Sequence, residues 1–525
     1  MIFRSPHENV SIPEVTLTEF VLQGAEGWSQ KTAMIDGPSG RRLTYGEFSR
    51  SIERVAAGLA AKGFRKGDVC AIYSPNCPEY AVAFHGVATL GGINTTINPI
   101  YTAEEVAHQL KDAGAKYLLT VPALMDKARE AAEAAAVREL IVFGEAEGAT
   151  SFAELLESDG PVPVVEIDPL NDLVALPYSS GTTGLPKGVM LTHHNLVANL
   201  LQIQALRIVE HDDTLLCVLP MFHIYGMVVI MNLGLYAGAT LVTMPRFELE
   251  EYLTLAQEHG VTLAHLVPPI VLALTQSPLV EQYDLSRIKT IFSGAAPLGE
   301  DLTRACQERL SCRVVQGYGM TETSPCTHLT PFEMCGSKPG SIGICLPNTE
   351  CMLVNPEDGA EQGLEGRGEI WIRGPQVMKG YLNRPEATAA TIDAEGWLHT
   401  GDIAYADRDG YFYIVDRLKE LIKYKGFQVA PAELEALLLT HPAVADAAVI
   451  PSPDEEAGEV PKAFVVLKAE ADEEEIKSFV AERVAPYKKL RFVEFVEQIP
   501  KSPSGKILRR ILKERERERI RKDEG

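Results

Sequence analysis

The stretch from Ser179 to Gly188 reads SSGTTGLPKG and follows a short apolar run, Leu173–Tyr178. Its serines, threonines and glycines form a loop in which hydroxyls and backbone N–H groups can approach an anion closely, and Lys187 adds a positive charge. A Walker loop requires G-x-x-x-x-G-K-[ST], whereas these glycines are too close together and a glycine follows the lysine. The stretch therefore predicts a phosphate-binding loop of another kind, beyond the end of a buried strand.

A second short segment, Pro503-Ser504-Gly505-Lys506, lies near the opposite end of the chain. It offers one lysine on a small, flexible turn. If Lys506 must reach the phosphate loop, a separate C-terminal domain has to close over the rest of the protein before chemistry can occur.

Composition restricts the class of protein. The chain has 525 residues, of which 46% are hydrophobic and 23% charged, which predicts a soluble globular protein with two or more domains. A net charge of −23 argues against nonspecific binding to nucleic acid or to an anionic membrane. No run of 18 apolar residues is present, so a transmembrane helix is not expected.

Cysteine usage and the chain ends indicate the compartment. The nine cysteines include no C-x-x-C pair, so neither a disulfide framework nor a zinc site is expected, and a reducing environment fits best. We find neither a signal-peptide pattern at the N-terminus nor a peroxisomal or retention signal at the C-terminus. The expected location is cytoplasmic.

Local patterns predict an α/β fold. Thr44–Glu47 and Thr102–Glu105 are each typical of a capping box that opens a helix, and Val69–Tyr73 is typical of a buried strand. Such alternation continues along the chain and favours doubly wound, parallel-type sheets covered by helices. The shorter strands of 340–373 indicate a distorted β-barrel or meander. A compact α+β pattern then predicts a large domain at 1–418 and a small, mobile one at 419–525.

Four further segments follow the phosphate loop along the chain and form an ordered set of motifs with it. They are GYGMTE at 317–322, TGD at 400–402, the stretch Asp416–Val429 and PSGK at 503–506. Together with the loop they resemble the adenylate-forming superfamily of acyl-CoA synthetases, luciferases and adenylation domains. FHIY at 222–225 and GEIWIRG at 368–374 look most like the 4-coumarate–CoA ligase branch, which usually has cysteine in place of Trp371.

The resemblance implies an ATP-dependent acid–CoA ligase. Such an enzyme activates an aryl carboxylic acid as an acyl-adenylate and transfers it to coenzyme A, releasing pyrophosphate and AMP. ATP, Mg²⁺ and coenzyme A are the implied cofactors and co-substrates, and the protein would be a monomer or homodimer. Alternatives are a medium- or long-chain fatty acyl-CoA synthetase, an adenylation enzyme loading a carrier protein, a luciferase-like oxygenase and a binding-only descendant.

The resemblance also assigns residues to the first half-reaction. Lys506 would bind the α-phosphate and the attacking carboxylate, and Glu322 would hold Mg²⁺. The residues implied to surround ATP are Ser179, Ser180, Gly181, Thr182, Thr183 and Lys187 at the phosphates, Thr321 at the α-phosphate, Tyr318 along adenine, Asp402 and Arg417 at the ribose, and Gln316 and Gly317 between adenylate and acid.

The second half-reaction is implied to use the loop that opens the small domain. Lys419 would act as its hinge, Lys425 and Gly426 would meet coenzyme A, and Lys423 with Gln428 would contact the adenylate. Arg246 is a further candidate for a coenzyme A phosphate.

The acyl pocket is implied to lie around His223, which would flank the reacting carboxylate. Its implied walls are Tyr225, Val229, Ala295, Gln316, Gly317, Pro325 and Cys326. Plant hydroxycinnamate ligases commonly have serine where Val229 stands, so the partner of a ring hydroxyl is missing here. Losing it weakens selection for a phenol over an apolar acid.

Overall fold

The computed structural model describes residues 1–523 except 180–185, 333–337, 426, 455 and 503–504. The α-helices of the described residues alternate with strands through most of the chain. They are Leu17–Leu22, Tyr45–Ala61, Pro78–Thr89, Ala103–Ala113, Met125–Ala134, Phe152–Leu156, His193–Gln204, Leu233–Ala237, Leu249–Glu258, Pro268–Gln276, Glu300–Leu310, Pro385–Ala389, Pro431–Leu439, Glu473–Ala481 and Arg509–Asp523.

The predicted helix starts are confirmed. Thr44 caps the helix Tyr45–Ala61, since its side chain accepts from the N–H of Glu47 while the Glu47 carboxylate accepts from the backbone of Thr44. Thr102 opens the helix Ala103–Ala113 in the same way. These caps satisfy backbone donors that the first helical turn leaves without partners.

The first sheet has nine strands with a parallel centre. Its central strand Val69–Tyr73 is buried along its whole length, as its apolar sequence predicts for a sheet covered on both faces. The strands lie in the order Tyr178–Ser179, Lys187–Thr192, Leu173–Ala175, Ile93–Ile97, Val69–Tyr73, Ala115–Thr120, Glu139–Val142 and Thr150–Ser151, with Gly380–Tyr381 paired to Lys187–Thr192.

The second sheet also has nine strands, six of them parallel neighbours. Their order is Ile344–Cys345, Cys326–Leu329, Arg313–Gly319, Thr290–Ser293, Leu263–Leu266, Thr214–Cys217, Thr240–Thr243, Thr32–Asp36 and Arg42–Thr44. The strands from Arg313–Gly319 to Thr32–Asp36 run parallel. The two sheets confirm the predicted α/β class.

The third sheet is antiparallel and has six strands. They are Ile2–Arg4, Glu350–Val354, Arg367–Arg373, Leu398–Ala406 and Phe412–Arg417 in spatial order, with Glu361–Gln362 paired to Glu350–Val354. The sequence predicted a distorted β-barrel or meander here. Within the described residues the strands form an open sheet, and no closed barrel is present.

The smaller C-terminal domain has its own sheet and core, as the α+β pattern predicted. Its strands are Phe427–Val429, Ile422–Tyr424, Gly458–Leu467, Val444–Asp454 and Phe492–Phe495. Helices Pro431–Leu439 and Glu473–Ala481 contribute to a separate apolar cluster. The boundary at 418/419 and the mobility of the domain stay predictions.

The two domains touch beside the second sheet. Gly505 has a φ of +76°, and a Cβ added there would lie 3.1 Å from Val267 Cγ2 and 3.3 Å from Pro269 Cδ. Lys468 of the small domain donates to Gln276 Oε1 over 3.3 Å. Among the described residues, no helix is long and apolar enough to cross a membrane.

Candidate active site

One cavity lies beyond the carboxyl ends of three parallel strands, Thr290–Ser293, Leu263–Leu266 and Arg313–Gly319, where ligands of such sheets collect. Its empty space, counted with the solvent at its mouth, is about 630 Å³. The predicted site residues that line it are His223, Tyr225, Val229, Ala295, Gly317, Tyr318, Thr321, Pro325, Cys326 and Lys506.

Lys506 reaches this cavity from the C-terminal domain. Burial and the neighbouring charge of Arg417 lower its pKa to about 8, although Asp402 and Glu322 act in the opposite direction. The backbone N–H of Lys506 donates to Ser502 Oγ over 3.1 Å, which fixes the turn. The fold thus brings the terminal lysine to the predicted nucleotide residues.

Tyr318, Asp402 and Arg417 form one connected group. The Tyr318 hydroxyl donates to Asp402 Oδ2 over 2.6 Å, and Arg417 Nε lies 3.4 Å from Asp402 Oδ1. The register places Asp402 directly opposite Arg417 on neighbouring antiparallel strands. A tyrosine ring, a carboxylate and a guanidinium side by side are suited to an aromatic base attached to a sugar diol.

The phosphate loop joins two paired strands. Ser179 lies opposite Lys187 in an antiparallel hairpin, and Lys187 Nζ lies 4.8 Å from the centre of the Tyr381 ring. The Tyr381 hydroxyl in turn donates to Glu322 Oε1 over 2.8 Å. The predicted phosphate-binding residues Ser180, Gly181, Thr182 and Thr183 lie outside the described residues.

His223 is a neutral group in this environment. Its burial and the positive charge of Lys506 lower the imidazole pKa to about 3. Nδ1 accepts from the backbone N–H of Tyr225 over 3.2 Å. His223 therefore presents an uncharged ring to the cavity near pH 7, which suits a pocket wall beside a carboxylate.

Gln316 directly precedes the GYGMTE segment and, unlike Gly317 and Tyr318, is not among the residues that line the cavity. Its amide group accepts from the Leu298 N–H over 2.8 Å and donates to the Leu298 carbonyl over 3.1 Å. The side chain is buried and holds the segment after Ala295 against the end of its strand. Its contacts fit support of the cavity wall.

Sequence reasoning did not identify His265 and Phe292, which also line the cavity. The two rings stack with centroids 5.0 Å apart, and Tyr225 meets His265 edge-on at 5.8 Å. His265 is 1% exposed, and its Nε2 has no hydrogen-bond partner among the residues that the structure describes. In sequence it stands within an apolar strand, where nothing distinguishes it from a core residue.

The predicted coenzyme A loop points elsewhere. Lys423, Lys425 and Gln428 are exposed; Lys425 pairs with Glu456, and Gln428 donates to Glu357 over 3.4 Å. None of the three lines the cavity. The loop therefore occupies a face of the small domain other than the one that carries Lys506.

Two further predicted residues, Lys419 and Arg246, lie at the surface. Lys419 is exposed in the turn after Arg417, and Gly426 lies outside the described residues. Arg246 is 80% exposed and lies 3.5 Å from Glu248.

Known protein families match this arrangement. The sequence model of the family described as "AMP-binding enzyme" matches residues 22–382. The family model described as "AMP-binding enzyme C-terminal domain" matches residues 433–506. The chain belongs to the AMP-binding enzyme family. It is 46% identical over 530 residues to "4-coumarate--CoA ligase 1" of Solanum tuberosum, covering 98% of this chain and 96% of that protein. The ligase of Pinus taeda is also 46% identical, covering 98% and 97%.

Solved structures of family members resemble the whole chain. ATP-bound MatB from Rhodopseudomonas palustris has a TM-score of 0.87 at 30% identity, covering 96% of this chain and 99% of that one. Apo MatB gives a TM-score of 0.77 at 30% identity with the same coverage. The anthranilate CoA ligase AuaEII with anthranoyl-AMP gives 0.88 at 25% identity, covering 96% and 98%. The present arrangement is thus nearer to the ATP-bound than to the apo form of MatB.

Proposed function

We propose that this AMP-binding enzyme is an ATP-dependent aryl acid–CoA ligase of the 4-coumarate type. The observation that carries the proposal is the convergence of Lys506, His223 and Tyr318 on one cavity, in a chain whose full-length relatives are named 4-coumarate–CoA ligases. The reaction has two steps. The carboxylate first attacks the α-phosphorus of ATP and pyrophosphate leaves; the thiol of coenzyme A then attacks the acyl carbon and AMP leaves.

The first step needs positioning and charge more than a protein nucleophile, because the substrate carboxylate itself attacks. Tyr318, Asp402 and Arg417 hold the adenosine, and Lys506 lies where the carboxylate and α-phosphate meet. Negative charge on both anions is opposed by one ammonium in a partly desolvated cavity, where its effect is larger than in water. A neutral His223 leaves this role to Lys506.

Glu322 is suited to hold the Mg²⁺ that accompanies ATP. Its side chain is 3% exposed, which is costly for a carboxylate without a counter-charge. Oε1 accepts a hydrogen bond from the Tyr381 hydroxyl. Carboxylate oxygen is the donor that Mg²⁺ prefers, and the ion would offset phosphate charge. Lys187, on the far side of Tyr381, would add to that effect.

His265 is the residue that we expect to recognise a ring hydroxyl of the acid, through a hydrogen bond. With the Tyr225 hydroxyl donating to the Phe292 carbonyl over 3.3 Å, we assign the donor role to His265 Nδ1, which lies 3.4 Å from the Tyr225 oxygen. Nε2 is then a lone-pair acceptor. Burial lowers the pKa of His265 to about 3, so the ring stays neutral. Nε2 is enclosed in the cavity wall, so a phenolic O–H at the far end of the acid would reach it through a small shift of the ring and replace the hydroxyl partner absent at Val229.

The alternatives differ in what the cavity must hold. A medium- or long-chain fatty acid needs a long apolar tunnel, whereas the stacked rings of His265 and Phe292 offer flat faces to an aromatic ring. A carrier-protein acceptor would use the same first step. The cofactor set proposed is ATP, Mg²⁺ and coenzyme A, and the proposed compartment is the cytosol.

The second step requires another arrangement of the small domain. Lys423, Lys425 and Gln428 must approach the cavity to serve coenzyme A, and Lys506 must leave it. We place the pivot at Lys419, in the turn that follows the last strand of the third sheet. One active site is then served in turn by two faces of the small domain.

The test is AMP release with a panel of acids, with ATP, Mg²⁺ and free coenzyme A. The expected order of kcat/KM is 4-coumarate above cinnamate, and both above octanoate. Release of AMP that requires a phosphopantetheinyl carrier protein instead of free coenzyme A would contradict the ligase. A preference for octanoate would contradict the aryl pocket.

A further inference from the structure

Behind the adenine side of the cavity, three side chains with soft metal ligands converge. They are His328, Cys345 and Cys351, and their ligand atoms all lie within 4.8 Å of one another. Their exposed fractions are 0%, 2% and 0%. Within the described part of the chain this is the one group of three such side chains so arranged. We infer that His328, Cys345 and Cys351 form a binding site for a thiophilic divalent cation of the Zn²⁺ class.

Strand pairing creates the site. His328 lies directly opposite Cys345 on neighbouring antiparallel strands, and Nε2 is 3.4 Å from Sγ. Bonds of about 2.3 Å to sulfur and about 2.1 Å to nitrogen around a tetrahedral ion separate two ligand atoms by roughly 3.6 Å. The spacing of this pair therefore needs little adjustment. Cys351 joins from the third sheet, so the ion would connect two sheets.

The imidazole is oriented as a metal ligand. Thr327 Oγ1 donates to the Tyr318 carbonyl over 3.4 Å and lies 3.0 Å from His328 Nδ1. With the threonine hydrogen directed at the carbonyl, Nδ1–H can donate to Oγ1, and in this tautomer Nε2 keeps its lone pair for the site. Such an outer hydrogen bond fixes the tautomer and ring direction of metal-binding histidines.

Charge and surroundings favour a divalent ion. Two thiolates balance Zn²⁺ and leave a neutral group, whereas a monovalent ion would leave a buried negative charge. Around the site pack apolar side chains such as Phe412, whose ring centroid is 4.5 Å from that of His328. Buried cysteine and histidine ligands are typical of structural zinc, which would need one further ligand beside these three side chains to complete a tetrahedron. Because the ligands are buried, the ion would enter while the chain folds.

The first test uses the unmodified full-length protein, expressed with added zinc and purified under reducing conditions. About one zinc per chain is expected to remain after gel filtration in a chelator. X-ray absorption at the zinc edge should show two sulfurs at about 2.3 Å and at least one nitrogen at about 2.1 Å. Loss of all zinc, or a shell of oxygen and nitrogen only, would overturn the site.

The second test compares cysteine variants. Cys345→Ser and Cys351→Ser should each reduce the retained zinc to background. Cys70→Ala is the matched control, because Cys70 is equally buried but lies in the first sheet. Equal zinc content in Cys345→Ser and the wild type, or equal loss in Cys70→Ala, would overturn the proposal. Circular dichroism checks that each variant folds, and the spectrum of the unmodified protein decides the question without them.

Discussion

The imidazole of His223, in the large domain, is half-buried and lines the same cavity as Lys506 of the small domain. Desolvation and the charge of Lys506 together lower its pKa to about 3. Lys506 itself has a pKa lowered to about 8. Near pH 7 the cavity therefore contains one ammonium beside one neutral ring. The cation that meets the two reacting anions comes from the domain that is proposed to move.

Lys506→Ala is expected to slow adenylate formation by about 10²–10³-fold, the usual cost of removing a group that stabilises transition-state charge. Thioester formation from preformed acyl-adenylate should change less than about threefold, because another face of the domain serves that step. Single-turnover assays of the two half-reactions measure this. Lys501→Ala is the matched control, since Lys501 lies on the same turn but pairs with Asp446. Equal losses in both half-reactions would exclude the alternating domain.

Lys423→Ala is the reciprocal of that experiment. Lys423 is exposed and outside the cavity when Lys506 is inside. Its removal should leave adenylate formation near the wild-type rate and reduce thioester formation by about tenfold or more, as expected for loss of a charged contact. A larger effect on adenylate formation than on thioester formation would place Lys423 in the wrong step.

The pH dependence of adenylate formation should report Lys506. Since its pKa is about 8, the charged fraction is nearly complete at pH 7 and falls as the pH rises above 8. The kcat/KM for the acid is then expected to fall by up to about tenfold per pH unit there. Lys506→Arg keeps its charge at high pH and should lose this alkaline limb, though at a lower rate. An unchanged limb in the arginine variant would assign it to another group.

Gly505 lies where the small domain contacts the large one, so substituting it tests whether close packing of the domains is needed for adenylate formation. Its left-handed φ and the closeness of Val267 and Pro269 both disfavour a side chain. Gly505→Ala should reduce adenylate formation about tenfold while sparing thioester formation. Gly410→Ala is the control, because Gly410 has a φ of +82° and nothing within 4 Å of an added Cβ. Both variants carry backbone strain of about 1 kcal/mol, so similar losses would attribute the effect to strain alone.

The sequence was informative where local chemistry decides structure. Capping boxes at Thr44 and Thr102 marked helix starts, and the apolar run at Val69–Tyr73 marked a buried strand. Motif order also predicted that Lys506 would meet the nucleotide residues. The β-barrel expectation was too specific, since short strands with many breaks are equally compatible with an open sheet.

The sequence could not predict contacts that depend on which strands pair and in which register. His328 and Cys345 become neighbours only because their strands pair, and no C-x-x-C spacing in the sequence indicates that geometry. His265 had no local signal, because a histidine in an apolar strand usually has a core role. Its significance comes from the Tyr225 contact and from an unpartnered nitrogen.

His265 supplies the last prediction, which concerns the ring hydroxyl of the acid. His265→Phe removes the Nε2 acceptor while keeping an aromatic ring to stack on Phe292. A neutral hydrogen bond contributes about 1 kcal/mol, so the ratio of kcat/KM for 4-coumarate over cinnamate should fall by about fivefold. His265→Gln keeps an acceptor and should recover part of this ratio, although its shape differs. Equal losses for both acids in His265→Phe would show that the residue only shapes the pocket, and the ring hydroxyl would need another partner.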